Sequence, residues 1–242
     1  MKIALIGTGK MGTAIEKQAF RAGHQIVLRV NKENRDEISP VLLQSADVAI
    51  EFTEPTSAVS NLLWCLQSKV PVVCGTTGWH DALDAVYQNF REKDGSLIVS
   101  SNFSIGVNLL FRLNQQLAAM MHNQKDYSPE ITETHHTKKL DKPGGTALKL
   151  VTDLLETTDR FRSWALLEEG FSIQEDIIPV IVHRTGEVIG EHEVRWRSSV
   201  DELRISHRAF TRDGFASGAL LAAQWLCGKK GIYTMSDVLF GR

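Results

Sequence analysis

Lys2-Ile-Ala-Leu-Ile6 runs directly into Gly7-Thr-Gly9-Lys-Met-Gly12. The short apolar run has the length and composition of a strand buried on both faces. The glycine turn that follows is GxGxxG, and the spacing predicts a helix from about Met11 to Arg21, stopped at Gly23. A second strand over Gln25 to Val30 completes a βαβ unit. In that setting the glycines allow a tight turn and the close approach of a pyrophosphate, whose charge the helix N-terminus stabilises. Gly7, Thr8, Gly9, Lys10, Met11 and Gly12 are therefore candidates to bind a dinucleotide.

Working outward, the alternation of strand and helix continues. Ala46 to Phe52 and Pro71 to Cys74 read as strands, each followed by a helical pattern, about Thr56 to Gln67 and about His80 to Lys93, and Ser96 to Ser100 reads as a further strand. Ligands of open α/β sheets lie outside the carboxyl ends of the strands, so Phe52, Thr53, Gly75, Thr76 and Thr77 join the candidate cofactor residues. At the end of the second strand, where an acidic residue would hold a ribose hydroxyl, the chain has Asn31-Lys32. With no carboxylate to repel a 2′-phosphate and Lys32 able to pair with one, NADPH is expected to be accepted at least as well as NADH. The competing reading has Lys32 in water and Asn31 capping a turn.

Ser101 to Asn108 leads into a helix from about Val107 to His122, and beyond Tyr127 the pattern changes. Pro129 to Lys139, Glu175 to His183, Val188 to Arg197 and Asp201 to Ala209 read as strands, with one strong helix, about Thr146 to Thr157, among them. Phe215 to Cys227 is a small-residue helix suited to packing back on the first domain. The expected fold is α/β, a Rossmann-type doubly wound parallel sheet with a second α+β domain on a mixed, largely antiparallel sheet. Residues 1–104 and 213–242 form the first domain and 105–212 the second.

Composition narrows the function. A net charge of -2 argues against a nucleic-acid binder held by phosphate contacts. Cys65, Cys74 and Cys227 are odd in number and far apart, which fits neither a disulfide framework nor zinc, and no His/Asp/Glu spacing resembles a metal site. The N-terminal apolar run is too short for a secretory signal and no stretch is long enough to span a membrane, so a reducing cytoplasm is expected.

The other concentration of chemistry is Glu133-Thr-His135-His136-Thr-Lys138-Lys139-Leu-Asp141-Lys-Pro143-Gly144-Gly145-Thr146-Ala147. If the strand runs to Lys139, alternation sets His135, Thr137 and Lys139 on one face and His136 with Lys138 on the other. Gly145 and Thr146 then open a helix whose N–H groups could seat a carboxylate or phosphate. A solvated basic strand end before an ordinary helix is the bland alternative. His183, His192 and His207 lie in the second domain's strands and could approach the site, though packing or solvent exposure is the favoured reading.

Taken in order, Gly7 to Gly12, Glu51-Phe-Thr53, Gly75-Thr-Thr-Gly78, Ser101 to Asn108, His135 to Ala147 and Gly190-Glu-His192 resemble the 4-hydroxy-tetrahydrodipicolinate (dihydrodipicolinate) reductase family across nearly the whole chain. The resemblance implies an NAD(P)H-dependent step of the diaminopimelate route to lysine, acting on a small dicarboxylate, and a homotetramer. It implies that Ser100, Ser101, Asn102 and Phe103 help line the nicotinamide and ribose, that His135 is the acid/base and Lys139 the proton donor, and that His136, Gly145 and Thr146 bind substrate. His135 could supply a proton near neutral pH from an ordinary pKa of about 6.5. The chain departs from the family in having Gly144 where serine is usual and Asn31 where an acidic residue is often found. Two other readings stay open: another two-domain amino-acid dehydrogenase, and a nucleotide-sensing regulator without turnover.

Overall fold

A computed structural model of the chain describes residues 1–167 and 174–241. These divide into two compact units, Met1–Ile105 with Arg212–Arg242, and Gly106–Thr211.

The first unit begins β1 (Lys2–Ile6), α1 (Lys10–Arg21), β2 (Gln25–Val30), α2 (Pro40–Leu43), β3 (Val48–Glu51), α3 (Pro55–Gln67), β4 (Val72–Cys74), α4 (Leu83–Glu92) and β5 (Ser96–Val99). The chain leaves it at α5 (Ile105–Met121) and returns with α7 (Asp213–Leu226), β11 (Gly231–Tyr233) and α8 (Met235–Phe240). The six strands pair in the order β11-β5-β4-β3-β1-β2, every pairing parallel. The sheet is apolar on both faces because both are covered. Ala4 and Ile6 of β1 join α3 and α4 residues such as Leu62 and Phe90 in one core, while Ile3 and Leu5 meet Ile15 and Ala19 of α1 and the alanines of α7 in another. Ala216, Ala219, Ala222 and Ala223 of α7 are fully buried, and the small-residue helix belongs to this unit's core. The one-turn α2, strand β11 and helix α8 went unread in the sequence.

The second unit carries β6 (Ser128–His135), α6 (Gly145–Thr157), β7 (Ser163–Leu166), β8 (Ile177–Arg184), β9 (Gly190–Arg197) and β10 (Glu202–Ala209). Its sheet runs β10-β9-β6-β8-β7. The β6–β9 and β9–β10 pairs are antiparallel, but β6–β8 and β7–β8 are parallel, a larger parallel share than the strand spacing implied. The cause is α6, which carries the chain over from β6 to the unpredicted β7. Ile131, Ile178, Val180, Val194 and Trp196 form the sheet side of the core, against Leu110 and Ala118 of α5 and Leu150, Val151 and Leu154 of α6.

One expectation is corrected. β6 ends at His135, not Lys139, and His136 to Lys139 make a turn closed by the Lys139 N–H donating to His136 O at 3.1 Å. The partner strand finishes at the same level. Arg184 pairs with His135, and the Thr185 N–H donates to His135 O at 2.8 Å, so no strand remains for His136 onward to pair with in register.

The glycine turn after β1 shows why its residues cannot be exchanged. Gly7 has φ +100°, and a side-chain carbon there would lie 1.9 Å from Phe52 O; one at Gly12 would lie 2.1 Å from Gly7 O, while one at Gly9 would meet nothing within 4 Å. Gly12→Ala should therefore cost this unit roughly 1–3 kcal/mol through overpacking, whereas Gly9→Ala should leave its stability unchanged. Urea unfolding of both variants checks this; equal midpoints would contradict it.

Candidate active site

In the first unit, β1 has β2 on one side and β3 on the other, so the strand order reverses there. A cleft of about 360 Å³ opens at this point, lined by Gly7, Thr8 and Gly9, by Asn31, Lys32, Arg35 and Asp36, and by Phe52, Thr53 and Asn61 among others. A second hollow, about 340 Å³, shares Gly9, Phe52 and Thr53 with it and adds Lys10, Met11, Gly75, Thr76 and Thr77. Gly12 lies beneath, buried against Gly7. Ser100, Ser101, Asn102 and Phe103 line neither hollow. Ser100 Oγ donates to Asn102 O at 2.8 Å, and Phe103 is a core residue, 2% exposed, with its ring 5.7 Å from that of Phe52.

The floor of this groove is fixed by a buried carboxylate. Glu51, at the end of β3, accepts from Thr53 Oγ1, from Asn61 Nδ2 at 3.3 Å and from Cys74 Sγ at 3.1 Å. The Thr53 N–H in turn donates to Thr76 Oγ1 at 2.7 Å, which joins the loops after β3 and β4. Burial, then the charge of Glu51, raises the pKa of both Cys65 and Cys74, so neither thiol is a nucleophile at neutral pH.

At the rim, Asn31 Oδ1 accepts from the Glu33 and Asn34 N–H groups, both at 3.0 Å, and Asn34 Nδ2 donates to Arg29 O at 2.9 Å. Asn31 therefore caps a turn. The next turn, Arg35–Glu37, brings both Arg35 and Asp36 to the cleft, so a carboxylate does stand there, five residues past the place expected for it. Arg35 is held over the Trp64 ring, 3.6 Å from its centroid, and donates through Nε to Asn61 Oδ1 at 3.3 Å.

The groove fits a dinucleotide on its own geometry. The open space at Gly9 and the α1 N-terminus without a side-chain cap are what an approaching pyrophosphate requires. Arg35 and Lys32 can meet a phosphate, and Asp36 a ribose hydroxyl.

The second unit's site begins with strand alternation. Ile131, Glu133 and His135 of β6, Gly190, His192, Val194 and Trp196 of β9, and Val180, Val182 and Arg184 of β8 lie on one face. That face is apolar at one end and titratable at the other, where α6 starts. Glu133 is fully buried there. Its two oxygens accept from the Gly144 N–H, both at 3.0 Å, and Oε1 also accepts from Arg184 Nη2 at 2.7 Å. Arg184 ties the following loop to the same point, donating to Lys139 O at 3.3 Å through Nε and to Asp141 O through Nη2.

The α6 N-terminus thus already holds one carboxylate, from the protein itself. The position next to it, Gly145, is open, since a side-chain carbon there would meet nothing within 4 Å. Gly144 is closely seated against this cluster. A side-chain carbon on it would lie 2.9 Å from Glu133 Oε2 and 3.0 Å from Lys139 Cε.

Lys139 is brought beside His135 by the turn and not by alternation, and its Nζ donates to Asp141 Oδ2 at 2.7 Å. Burial alone would raise the Asp141 pKa, but the bond and charge of Lys139 outweigh it and hold the carboxyl ionised below its ordinary range. His135 Nδ1 and His192 Nε2 lie 3.8 and 3.7 Å from Glu133 Oε2, and the two rings meet edge to face at 5.1 Å. His192 is 4% exposed and packs into this cluster, so of the placements open to it in the sequence it takes the one near the site. Glu133, His135 and His192 can also be grouped as three potential metal ligands, an arrangement from two strands that linear spacing did not show.

Burial first, then the charges of His192, Lys139 and Arg184, lower the pKa of His135, with Glu133 opposing them. This corrects the expectation of an ordinary imidazole, since at neutral pH His135 is uncharged. Burial would raise Glu133, but His192, Arg184 and the Gly144 N–H together lower it. Arg184 is the site residue for which linear spacing carries no signal; Glu133 was reachable two residues before His135 on one face, and His192 through the Gly190-Glu-His192 motif.

A parallel doubly wound sheet with a fitted dinucleotide groove, in one chain with a second unit that gathers a buried ion pair, two imidazoles and a lysine, defines a pyridine-nucleotide-dependent oxidoreductase. The family models described as dihydrodipicolinate reductase, N-terminus and C-terminus, match residues 1–103 and 106–239. A 4-hydroxy-tetrahydrodipicolinate reductase of Christiangramia forsetii is 43% identical over 241 residues, 99% of this chain and 98% of that one. One of Neisseria meningitidis is 35% identical over 228 residues, 93% of this chain and 83% of the relative. The solved dipicolinate-bound dihydrodipicolinate reductase of Paenisporosarcina sp. TG-14 has the same fold, with a TM-score of 0.81 at 21% identity and 99% coverage of both chains. The chain belongs to the dihydrodipicolinate reductase family, as the motifs anticipated.

The two lowered pKa values have a common sign. Below its ordinary value of 6.5 the His135 imidazole takes up a proton more readily in the unfolded chain than in the folded site, and Glu133 does the same below 4.5. Their stabilising effect is complete above those values and is lost on acidification. Tm should fall as pH drops from about 7.5 to about 5, and fall less in His135→Asn. Scanning calorimetry checks this, and an equal pH slope in the variant would contradict the assignment.

Proposed function

We propose that the chain reduces 4-hydroxy-tetrahydrodipicolinate to tetrahydrodipicolinate in the diaminopimelate route of lysine biosynthesis, with the first unit holding NADPH or NADH and the second the dicarboxylate. Family membership over the full length carries this reading, and the geometry supports it. Overall, substrate, NAD(P)H and a proton give product, NAD(P)+ and water. Loss of the 4-hydroxyl as water leaves an unsaturated cyclic imine, to which the nicotinamide, when bound, would supply a hydride.

The chain's residues bind, orient and move the proton. Gly7, Thr8, Gly9, Lys10 and Met11 hold the pyrophosphate over the α1 N-terminus, with Gly12 providing the close packing beneath. Phe52, Thr53, Gly75, Thr76 and Thr77 flank the nicotinamide side. Ser100 to Phe103 shape that region through core packing and a local turn. Lys32 and Arg35 can receive a 2′-phosphate and Asp36 a free 2′-hydroxyl, so both cofactors are accepted.

Gly145 and Thr146 at the α6 N-terminus, with His136, hold a substrate carboxylate. Lys139 carries the proton that balances the added hydride, releasing it to the electron-rich ring as its partner Asp141 stays ionised. His135, neutral in the free site, is the acid/base beside it, and an arriving dicarboxylate favours its charged form. All three thiols are free, which fits a reducing cytoplasm, and no described helix is long and apolar enough to cross a membrane. The sheet face opposite α6, where Glu130 pairs with Arg195, serves a homotetramer.

Oxidation of NADPH and NADH should be driven by the dipicolinate-pathway substrate and not by aspartate or homoserine pathway substrates. Lys139→Ala and His135→Ala should each lower kcat by about 100-fold with cofactor binding retained. Wild-type protein without turnover would overturn the reaction, and a variant with near-normal kcat would overturn that residue's role.

A further inference from the structure

Glu133 and His192 are the two most buried titratable groups of the second unit's site, and neither proton transfer nor substrate binding, as assigned above, uses them. Glu133 has no freedom to turn. Its oxygens are fixed from one side by Arg184 Nη2 at 2.7 Å and from another by the Gly144 N–H at 3.0 Å. What remains of Oε2 faces two imidazoles, with His135 Nδ1 at 3.8 Å and His192 Nε2 at 3.7 Å. His135 Nδ1 is buried and hydrogen-bonds to no described residue, and the same is true of both ring nitrogens of His192. At the other end of the His135 ring, Nε2 lies over Gly190, where a side-chain carbon would sit 3.0 Å away.

We propose that Glu133 is the positioning residue of His135, holding its proton on Nδ1 so that Nε2, over Gly190, is the atom that exchanges protons in the reaction. The proposal rests on the reading that His135 is the acid/base. The hydrogen bond on one ring nitrogen decides the tautomer of a neutral imidazole. The carboxylate is the acceptor that His135 Nδ1 faces. At 3.8 Å the pair is longer than a hydrogen bond, and such pairs shorten when substrate closes the site. His192, edge-on to His135 with an interplanar angle of 72°, braces the ring and shares the same oxygen.

Glu133→Gln keeps the shape and inverts the logic. Arg184 and the Gly144 N–H are donors and require the amide oxygen, which turns the amide N–H groups towards His135. Nδ1 then becomes an acceptor and the proton moves to Nε2.

The experiment is imidazole 15N–1H correlation spectroscopy on the full-length protein at about neutral pH, where burial keeps His135 uncharged, with its signals assigned by their loss in His135→Asn. The expected result is an Nδ1–H tautomer in wild type and an Nε2–H tautomer in Glu133→Gln. That variant's kcat should be about 100-fold lower with the substrate KM little changed. Wild-type protein in the Nε2–H form overturns the proposal without any variant having to fold. So does a folded Glu133→Gln with unchanged tautomer or unchanged kcat. If His135→Ala turns over normally, the acid/base reading fails, while the tautomer comparison still decides whether Glu133 sets the ring.

Discussion

The buried carboxylate of Glu133 is the constraint on which the second unit's site depends. Removing an ion of this kind from water is expensive, and the expense is met only where partners surround it. Here Arg184, the α6 N-terminus and two imidazoles do so, and each is fixed in return. Arg184 pins the carbonyls of Lys139 and Asp141, so the turn that carries the lysine is set by the same carboxylate that faces His135. Gly144 belongs to this arrangement, because a larger residue would press on Glu133 and Lys139 together.

The first unit is organised by a comparable device. Glu51, buried at the end of β3, gathers Thr53, Asn61 and Cys74 and so sets the loops that line the groove. In both units a strand delivers a carboxylate to the carboxyl end of the sheet, and polar loop groups are hung upon it. Side chains so held retain one geometry because moving any of them would leave a buried charge unpaired.

The sequence made the nucleotide fold legible through short-range signals. A buried strand, three glycines and a capless helix start are contiguous, and their spacing is dictated by backbone sterics. His135, Lys139, Gly145 and Thr146 lie in one stretch of sequence, yet strand alternation does not set His135 and Lys139 on one face, since β6 stops at His135. Arg184 and His192 lie about fifty residues further along the chain and come to the site through strand register. Register is fixed by pairing between distant segments, and a one-residue slip would turn both side chains to the opposite face. Asp36 escaped notice because the 3₁₀ turn carrying it lacks a hydrophobic period, and β7 because its crossover made the sheet more parallel than the hairpin-like spacing implied.

Glu133 and Arg184 form one unit, in which either residue alone is a liability. A double-mutant cycle of Glu133→Gln, Arg184→Met and the combined variant, followed by urea unfolding and by kcat, tests this directly. The predicted result is a coupling of about 1–3 kcal/mol in stability, with the double variant no slower than the worse single one. Additive losses in both quantities would contradict it, and would mean that the site does not depend on their pairing.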